Sequence, residues 1–501
     1  MSQKAEEWRE RELLVGILLA SLGAWALNTL LFGASEALVK GVWAGLAGIY
    51  VLYLLYVMRR RKTLLCKAAV PLLLGAGFLM QLLFVLRMPY NFSWHDLGAF
   101  GSLTDEQVYP GHLGLINYIV KFARLPAENP MMIDYKDFYH PPLYHLLQAG
   151  FFRVNLVLGI DPKVALENMQ ILTLCITSLC VWTGYRILRQ LKISPRGIQM
   201  GLLFLVVQPS LFIFAGTLNN DIASVFFILL TVLYTLRWIE APSLRRIIGI
   251  ALSLGLGMAV KLSIAVIAVP IGLVFAIRFF QNIQQWKNYL RQFLIFLLIS
   301  VPLGTAWPIF HAVAFQMPLN HVPLPAETIN VGHLPLAMRF GAPSGEALHS
   351  LFYSAIRRVD YNVWFQTLKT ALFDELTLFS NGSRMWYVSY GTAALFTVLA
   401  GVSVLLFIRW LLRRNTSFAP LSRLFLGVYG IALLGSYFLF CLQYPYICTF
   451  NFRYILPSLV LCAIALGDFC QQKNLPAKLL GGLIIAFGSM SCLVYSVYLL
   501  G

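Results

Sequence analysis

Leu143-Tyr-His-Leu-Leu-Gln-Ala-Gly-Phe-Phe-Arg-Val-Asn-Leu-Val-Leu-Gly159 is apolar enough to read as a membrane-spanning helix, and whether it spans decides the topology of all that follows. Its 17 residues fall short of the roughly 20 that cross a bilayer, and it carries His145, Gln148, Arg153 and Asn155. If it crossed, the next basic loop, Arg186 to Arg196, would move to the outer side and every later loop would change sides with it. Read instead as an amphipathic helix lying on or dipping into the outer surface, it leaves the short basic loops on one side. These are Arg59–Lys62 with Lys67; Arg186, Arg189, Lys192 and Arg196; Arg237, Arg245 and Arg246; Arg278, Lys287 and Arg291; Arg409, Arg413, Arg414 and Arg423; and Lys473 with Lys478. Loops rich in Lys and Arg stay cytoplasmic, which places the N-terminus there too.

Outward from that stretch, the spanning cores are Leu13–Phe32, Val42–Met58, Ala68–Leu86, Val164–Leu188, Gly197–Gly216, Ile222–Trp238, Ile247–Ala259, Leu262–Ile277, Phe293–Val313, Tyr387–Trp410, Leu424–Cys441, Tyr454–Asp468 and Leu479–Leu499. The seventh and eighth are short enough to form one bent pair. The expected fold is an all-α polytopic membrane protein with about 13 transmembrane helices and two large extracytoplasmic loops carrying amphipathic surface helices. Its parts are an N-terminal hairpin (1–67), a core (68–313) that includes the first outer loop (87–163), a second outer loop (314–386) and C-terminal helices (387–501).

Composition agrees. Hydrophobic residues make up 59% of the 501 and charged residues 12%, against about 25% charged in soluble domains. The net charge of +17 sits in the short loops, so it reads as membrane topology and not as nucleic-acid binding. Leu13–Phe32 is long enough to span, which reads as a retained helix rather than a signal peptide. The expected location is the inner (plasma) membrane. Most of the eight cysteines lie inside apolar runs as small packing residues, while Cys441 and Cys448 flank a short loop where a disulfide can form.

The two outer loops hold seven of the eight histidines. The first opens on Asn91-Phe-Ser-Trp-His-Asp96, which sets His95 and Asp96 at the membrane–water boundary. A carboxylate there can take a proton from an acceptor hydroxyl. Farther on, Met132-Ile-Asp-Tyr-Lys-Asp-Phe-Tyr-His-Pro-Pro-Leu-Tyr-His145 supplies Asp134 or Asp137 as a second acid. Two successive prolines start a helix but cannot lie inside one, so His140-Pro-Pro opens the surface helix, with Tyr139, His140, Tyr144 and His145 displayed around its start. Histidines five apart match no zinc motif, and no metal site is assigned. Asn220 and Asp221, Lys261, and Arg453 with Tyr454 stand at the ends of apolar runs, where an ionised group needs a partner or a wet cavity. Lys261 can pair with a lipid phosphate or with Asp221, and Arg453 suits bidentate phosphate binding.

These stretches resemble the GT-C class of membrane glycosyltransferases, in particular the protein O-mannosyltransferase and aminoarabinose-lipid A transferase group. The resemblance is carried by Asp96 after an early helix, by His140-Pro-Pro-Leu143, and by Gln208-Pro-Ser followed by Leu218-Asn-Asn-Asp221. Lys261 after Gly255-Leu-Gly-Met-Ala-Val and Asn451-Phe-Arg-Tyr-Ile-Leu-Pro457 complete it, so that it runs in order from about Ser93 to Pro457. The chain departs from the group in having two helices, not one, before the helix that leads into the Asp96 loop, and in lacking a second carboxylate beside Asp96.

The resemblance implies sugar transfer from a polyprenyl-phosphate carrier on the outer face, to a glycan, lipid or protein acceptor. Asp96 is then the general base, with His95 orienting it and Asp137 or Asp134 as second acid. Arg453, Lys261 and Tyr454 would hold the donor phosphate, and Tyr139, His140, His145, Asn220 and Asp221 would line the cavity. No cofactor is required; a divalent cation at Asp96 with Asp134 or Asp137 stays open, since some relatives of the wider class use one. The rival reading is a multi-helix transporter of a lipid or small solute, which would place paired charges at the bilayer midplane on broken helices.

Overall fold

The computed structural model describes residues 3–60, 62–92, 97–98, 100–101, 109–132, 137–319, 321–343, 345, 350–352, 360–413 and 419–501. Helices dominate: α1 (Gln3–Leu31), α2 (Glu36–Arg60), α3 (Lys62–Arg87), α4 (Gly111–Phe122), α5 (Leu143–Val157), α6 (Pro162–Gln190), α7 (Pro195–Val206), α8 (Pro209–Gly216), α9 (Asp221–Glu240) and α10 (Leu244–Met258). They continue as α11 (Ala268–Gln281), α12 (Trp286–Phe315), α13 (Leu336–Phe340), α14 (Val363–Leu372), α15 (Arg384–Leu412), α16 (Pro420–Gln443), α17 (Ser458–Cys470) and α18 (Leu475–Leu500). Among the described residues the one extended pairing is an isolated bridge between Asn330 and Tyr446.

The all-α polytopic class is what the structure shows. Among the described residues ten helices are long and apolar enough to cross a membrane, or up to twelve if each of two bent pairs is one span. The expected thirteenth, near Ile247–Ala259, is α10. Its 15 residues rise about 22 Å, less than the roughly 30 Å of hydrocarbon. The bends have a covalent cause. Pro209 offers no N–H to continue the ladder after Val206, and α7 and α8 meet at 53°. Pro457 does the same between the short 3-10 turn Phe452–Ile455 and α17, where the bend is 48°.

The decisive segment is a helix, α5, with its polar face buried. Gln148 bonds to Tyr144, Thr173 and the Met169 carbonyl, and Asn155 accepts from Trp25 at 2.9 Å and from Asn168 at 2.8 Å. Arg153 donates to the Val120 carbonyl. A helix that needs these partners is built to lie against α1, α4 and α6, while Leu147, Val154 and Val157 stay exposed on its other side. Helix α4, just before it in space, was not foreseen. It is nearly all buried, and Pro110-Gly111 opens it with Gly111 at φ +66°.

Two ends of the bundle differ in chemistry. At one, Glu10 pairs with Arg186 and Arg189 at 3.0 Å, Glu240 pairs with Lys192 at 3.1 Å, Arg246 donates to the Arg237 carbonyl, and Arg413 lies 3.6 Å from Asp468. These groups come from basic loops predicted to share a side. At the other end lie Met88, Asp137, Asp221, Lys261 and Arg453. Helix α9 separates the two, with Asp221 at its start and Glu240 at its finish. Helices α7 and α17 run between the ends in backbone contact. A Cβ on Gly201 would meet the Ala463 carbonyl at 2.6 Å, and one on Gly197 the Gly467 carbonyl at 2.5 Å, the close approach that small residues four apart allow in a membrane. Cys441 and Cys448 are not joined, so the disulfide their spacing allows is not made.

Candidate active site

Three consecutive residues in the break after α10 gather the polar end. The Ala259 carbonyl accepts from Leu143 N at 3.0 Å, which ties the Pro-Pro start of α5 to the break. The Val260 carbonyl accepts from Asn220 Nδ2 at 3.0 Å, which ties in the Asn-Asn-Asp turn before α9. Lys261, extended at φ −159°, then reaches Asp221. The turn is closed by its own side chain, since Asp221 N donates to Asn219 Oδ1 at 3.1 Å. These backbone ties bring Lys261 to Asp221 from 40 residues away.

Arg453 completes the cluster from the late 3-10 turn. Asn451 caps that turn by accepting from Arg453 N at 2.9 Å. Arg453 Nη1 stands 3.5 Å from Asp221 Oδ2, and Lys261 Nζ bonds to Oδ1, so one carboxylate holds two cations. The side chains of Asp221 and Arg453 are 4% and 5% exposed, that of Lys261 18%. Tyr454 faces both cations. Its ring centroid lies 5.1 Å from Lys261 Nζ and 4.9 Å from Arg453 Cζ, and its hydroxyl accepts from Arg453 Nη2 at 2.9 Å. Of the two partners open to Lys261 in the sequence, this structure makes the Asp221 pair. Beside it, Asn219 Nδ2 and Asn220 Oδ1 are buried with no hydrogen-bond partner among the described residues, a pattern that goes with a polar ligand or ordered water.

The histidines of the first loop adjoin this cluster. His140 and His145 are brought together, with ring centroids 6.0 Å apart, and a third ring joins them: His112 lies 4.8 Å from His140 and 5.1 Å from His145. His112 Nδ1 and His145 Nε2 share a hydrogen bond of 2.9 Å. Burial holds the His140 and His145 rings well below the ordinary imidazole pKa, His112 adding to this at both and Lys261 and Arg453 at His140. These residues are buried, not displayed: His140 is 6% exposed, while His145 and Tyr144 are fully covered. Tyr139 packs on His140 at 4.1 Å and faces His321 of the second loop at 6.5 Å. No group of three His, Cys, Asp or Glu among the described residues is arranged to hold a metal ion.

Asp137 accepts from Gly111 N at 2.6 Å and so braces the start of α4. His95, Asp96 and Asp134 lie outside the described residues. Leu97, the chain neighbour of Asp96, accepts from Leu113 N at 2.9 Å. Gly98 beside it has φ +69°, and a Cβ there would strike the Pro110 carbonyl, so the segment after Asp96 lies against the start of α4. Two groups escaped the sequence reading. His112 stands in no motif. Asp374, at φ 50° after α14, is buried beside Asn451, 3.4 Å from its Nδ2; a lone acid after a helix gave no signal.

Residues 139–305 match the model of the dolichyl-phosphate-mannose-protein mannosyltransferase family. The match includes His140-Pro-Pro, Asn220, Asp221 and Lys261, in keeping with the resemblance to the GT-C class. Among solved structures, the chain is similar to ArnT from Cupriavidus metallidurans in the apo state, with 11% identity over 86% of this chain and 77% of that one and a TM-score of 0.48. Against the same protein bound to undecaprenyl phosphate the values are 13%, 88%, 77% and 0.45. The oligosaccharyltransferase of Archaeoglobus fulgidus in the apo form gives 13% identity over 85% of this chain and 56% of that one, with a TM-score of 0.45. No curated protein matches.

Proposed function

We propose that this chain is a membrane glycosyltransferase that takes a sugar from a polyprenyl-phosphate carrier and transfers it, with inversion, to an acceptor on the extracytoplasmic face. The observation that carries this reading is the pair Lys261 and Arg453, half-buried and buried, held on the buried Asp221 at the polar end of the bundle. The matched family is named for a polyprenyl-phosphate sugar donor, and its model covers Asp221 and Lys261.

The chemistry follows from charge. A sugar-linked lipid phosphate carries one negative charge. When the acceptor oxygen attacks C1 and the C1–O bond breaks, the electron pair stays on the phosphate oxygen and a second charge develops there. Cations already fixed at that point act most strongly on the charge that develops. Asp221 keeps Lys261 and Arg453 fixed before the donor arrives. The guanidinium forms paired bonds to phosphate, and Tyr454 holds its plane. Asp96 takes the acceptor proton, with His95 orienting it and Asp137 bracing the loop; the lipid-phosphate leaving group needs no acid. Tyr139 and His140 adjoin the sugar, and the His145 ring packs beside His140. No cofactor takes part in this scheme. Against a transporter stands the position of the charges, at helix ends and not at midplane.

Purified protein in vesicles, given polyprenyl phosphate carrying a labelled sugar, is expected to move label from lipid to an envelope extract and to release polyprenyl phosphate. Intact donor after exposure to a panel of mannose-, glucose- and aminoarabinose-type carriers speaks against the reading.

A further inference from the structure

At the end of the bundle that carries the basic loops, a groove lies between α1 and α3, with the end of α6 and the start of α7 as its other walls. Its cavity is about 880 Å³, near the top of the roughly 300–1,000 Å³ of sites that take a small molecule. The walls are apolar: Gly16 and Ile17 from α1, Leu74 and Phe78 from α3, Ile193 from the turn before α7, and Ile198 from α7. The lining runs from Glu12 to Ala20 on α1 and from Val70 to Phe78 on α3, about 12 Å along each helix at 1.5 Å per residue. One leaflet offers about 15 Å of hydrocarbon, half of the roughly 30 Å core. The groove therefore has the depth of the chains of one leaflet, and no residue of the Asp221 cluster lines it.

Charge is confined to its mouth, where Arg189 near the end of α6 and Lys192 just beyond it meet Glu12 of α1. Arg189 is held by Glu10 at 3.0 Å, and Lys192 lies 3.1 Å from Glu240. The Lys192 and Glu240 side chains are 64% and 48% exposed, so their pair is a surface contact of small worth. An ammonium has three N–H donors, which lets Lys192 bond a second anion. Glu12 is exposed and is in no ion pair among the described residues.

We propose that this groove is the binding site of one aminophospholipid, a lipid that carries a primary ammonium beside its phosphodiester. The phosphate sits at Lys192 and Arg189, the ammonium at Glu12, and the acyl chains run between α1 and α3 toward Phe78. Basic pockets between membrane helices hold lipid head groups in this way. The mixed signs of the mouth choose among head groups. A purely anionic lipid satisfies the cations but sets its charge beside Glu12. A choline lipid has its positive charge on a nitrogen without N–H. A primary ammonium offers Glu12 a charge-assisted hydrogen bond. The apolar walls below the mouth want hydrocarbon, which a soluble metabolite does not bring.

Full-length protein in detergent, equilibrated with phosphatidylethanolamine, phosphatidylglycerol or phosphatidylcholine of the same acyl chains, tests this by native mass spectrometry. Wild type is expected to retain one phosphatidylethanolamine with about tenfold preference over either other lipid, the scale of one charge-assisted hydrogen bond. Glu12→Gln is expected to cancel the preference over phosphatidylglycerol, and Lys192→Gln to weaken those two lipids alike. Both side chains are exposed, so neither change threatens the fold. Gly16→Leu is expected to abolish retention. A Cβ at Gly16 meets nothing within 4 Å, so the longer side chain enters the groove, and Leu favours the helix. Equal retention of the three lipids by wild type, or a preference for phosphatidylglycerol, overturns the proposal. So does a preference that survives Glu12→Gln, or a Gly16→Leu variant that holds lipid as wild type does. None of these readouts depends on sugar transfer.

Discussion

Asp96→Asn leaves the protein folded and able to bind polyprenyl phosphate but lowers kcat by about 10²–10⁴-fold, the usual contribution of general-base assistance. The reason is the division of labour in the site. In the proposed scheme the cations that meet the phosphate are Lys261 and Arg453, both held on Asp221. Deleting the base therefore removes a transition-state interaction and spares ground-state binding, which lowers kcat and kcat/KM together. Side-by-side turnover and lipid-binding measurements check it. Normal turnover in this variant would end the assignment of Asp96.

Asp221→Asn has its largest effect on stability. It removes the carboxylate that Lys261 and Arg453 share beside the Tyr454 ring, in a place where the Arg453 side chain is 5% exposed. Removing one partner of a buried ion pair costs about 3–5 kcal/mol. Thermal unfolding in detergent is expected to show a large drop in Tm. Polyprenyl phosphate gives the test its edge. If its phosphate sits where proposed, it supplies the missing negative charge, and the lipid raises the Tm of Asp221→Asn more than that of wild type, since binding to the native state adds stability. An equal shift in both proteins, or none in the variant, would place the phosphate elsewhere.

The sequence made much of this legible because membranes constrain chains strongly. Apolar length was enough to set the long helices, and α5, at 15 residues, is shorter than they are. Its polar residues Gln148, Arg153 and Asn155 find partners in the neighbouring helices. Among the described residues the span corresponding to α10 is apolar but 15 residues long. Lys261, Arg453 and Asp221 were singled out because charge at the end of an apolar run demands a partner. That they are each other's partners was open, because the contact closes over 40 residues on one side and joins the far end of the chain on the other. His112 and α4 were illegible for a different reason. A lone histidine after Pro-Gly carries no periodicity, and its importance lies in where His145 sits.

The central claim is that the carboxylate-bearing loop and the Arg453 cluster open on one side of the membrane, away from the basic loops. Single cysteines at Ala127 in the first loop, at Thr328 beside the Asn330–Tyr446 bridge and at Lys473 among the basic loops, in a background without other cysteines, report this through a membrane-impermeant thiol reagent on intact cells. Labelling at 127 and 328 but at 473 only after permeabilisation is the result expected. Positions 127 and 328 reacting from opposite sides would contradict it, since base and phosphate site would then face different compartments.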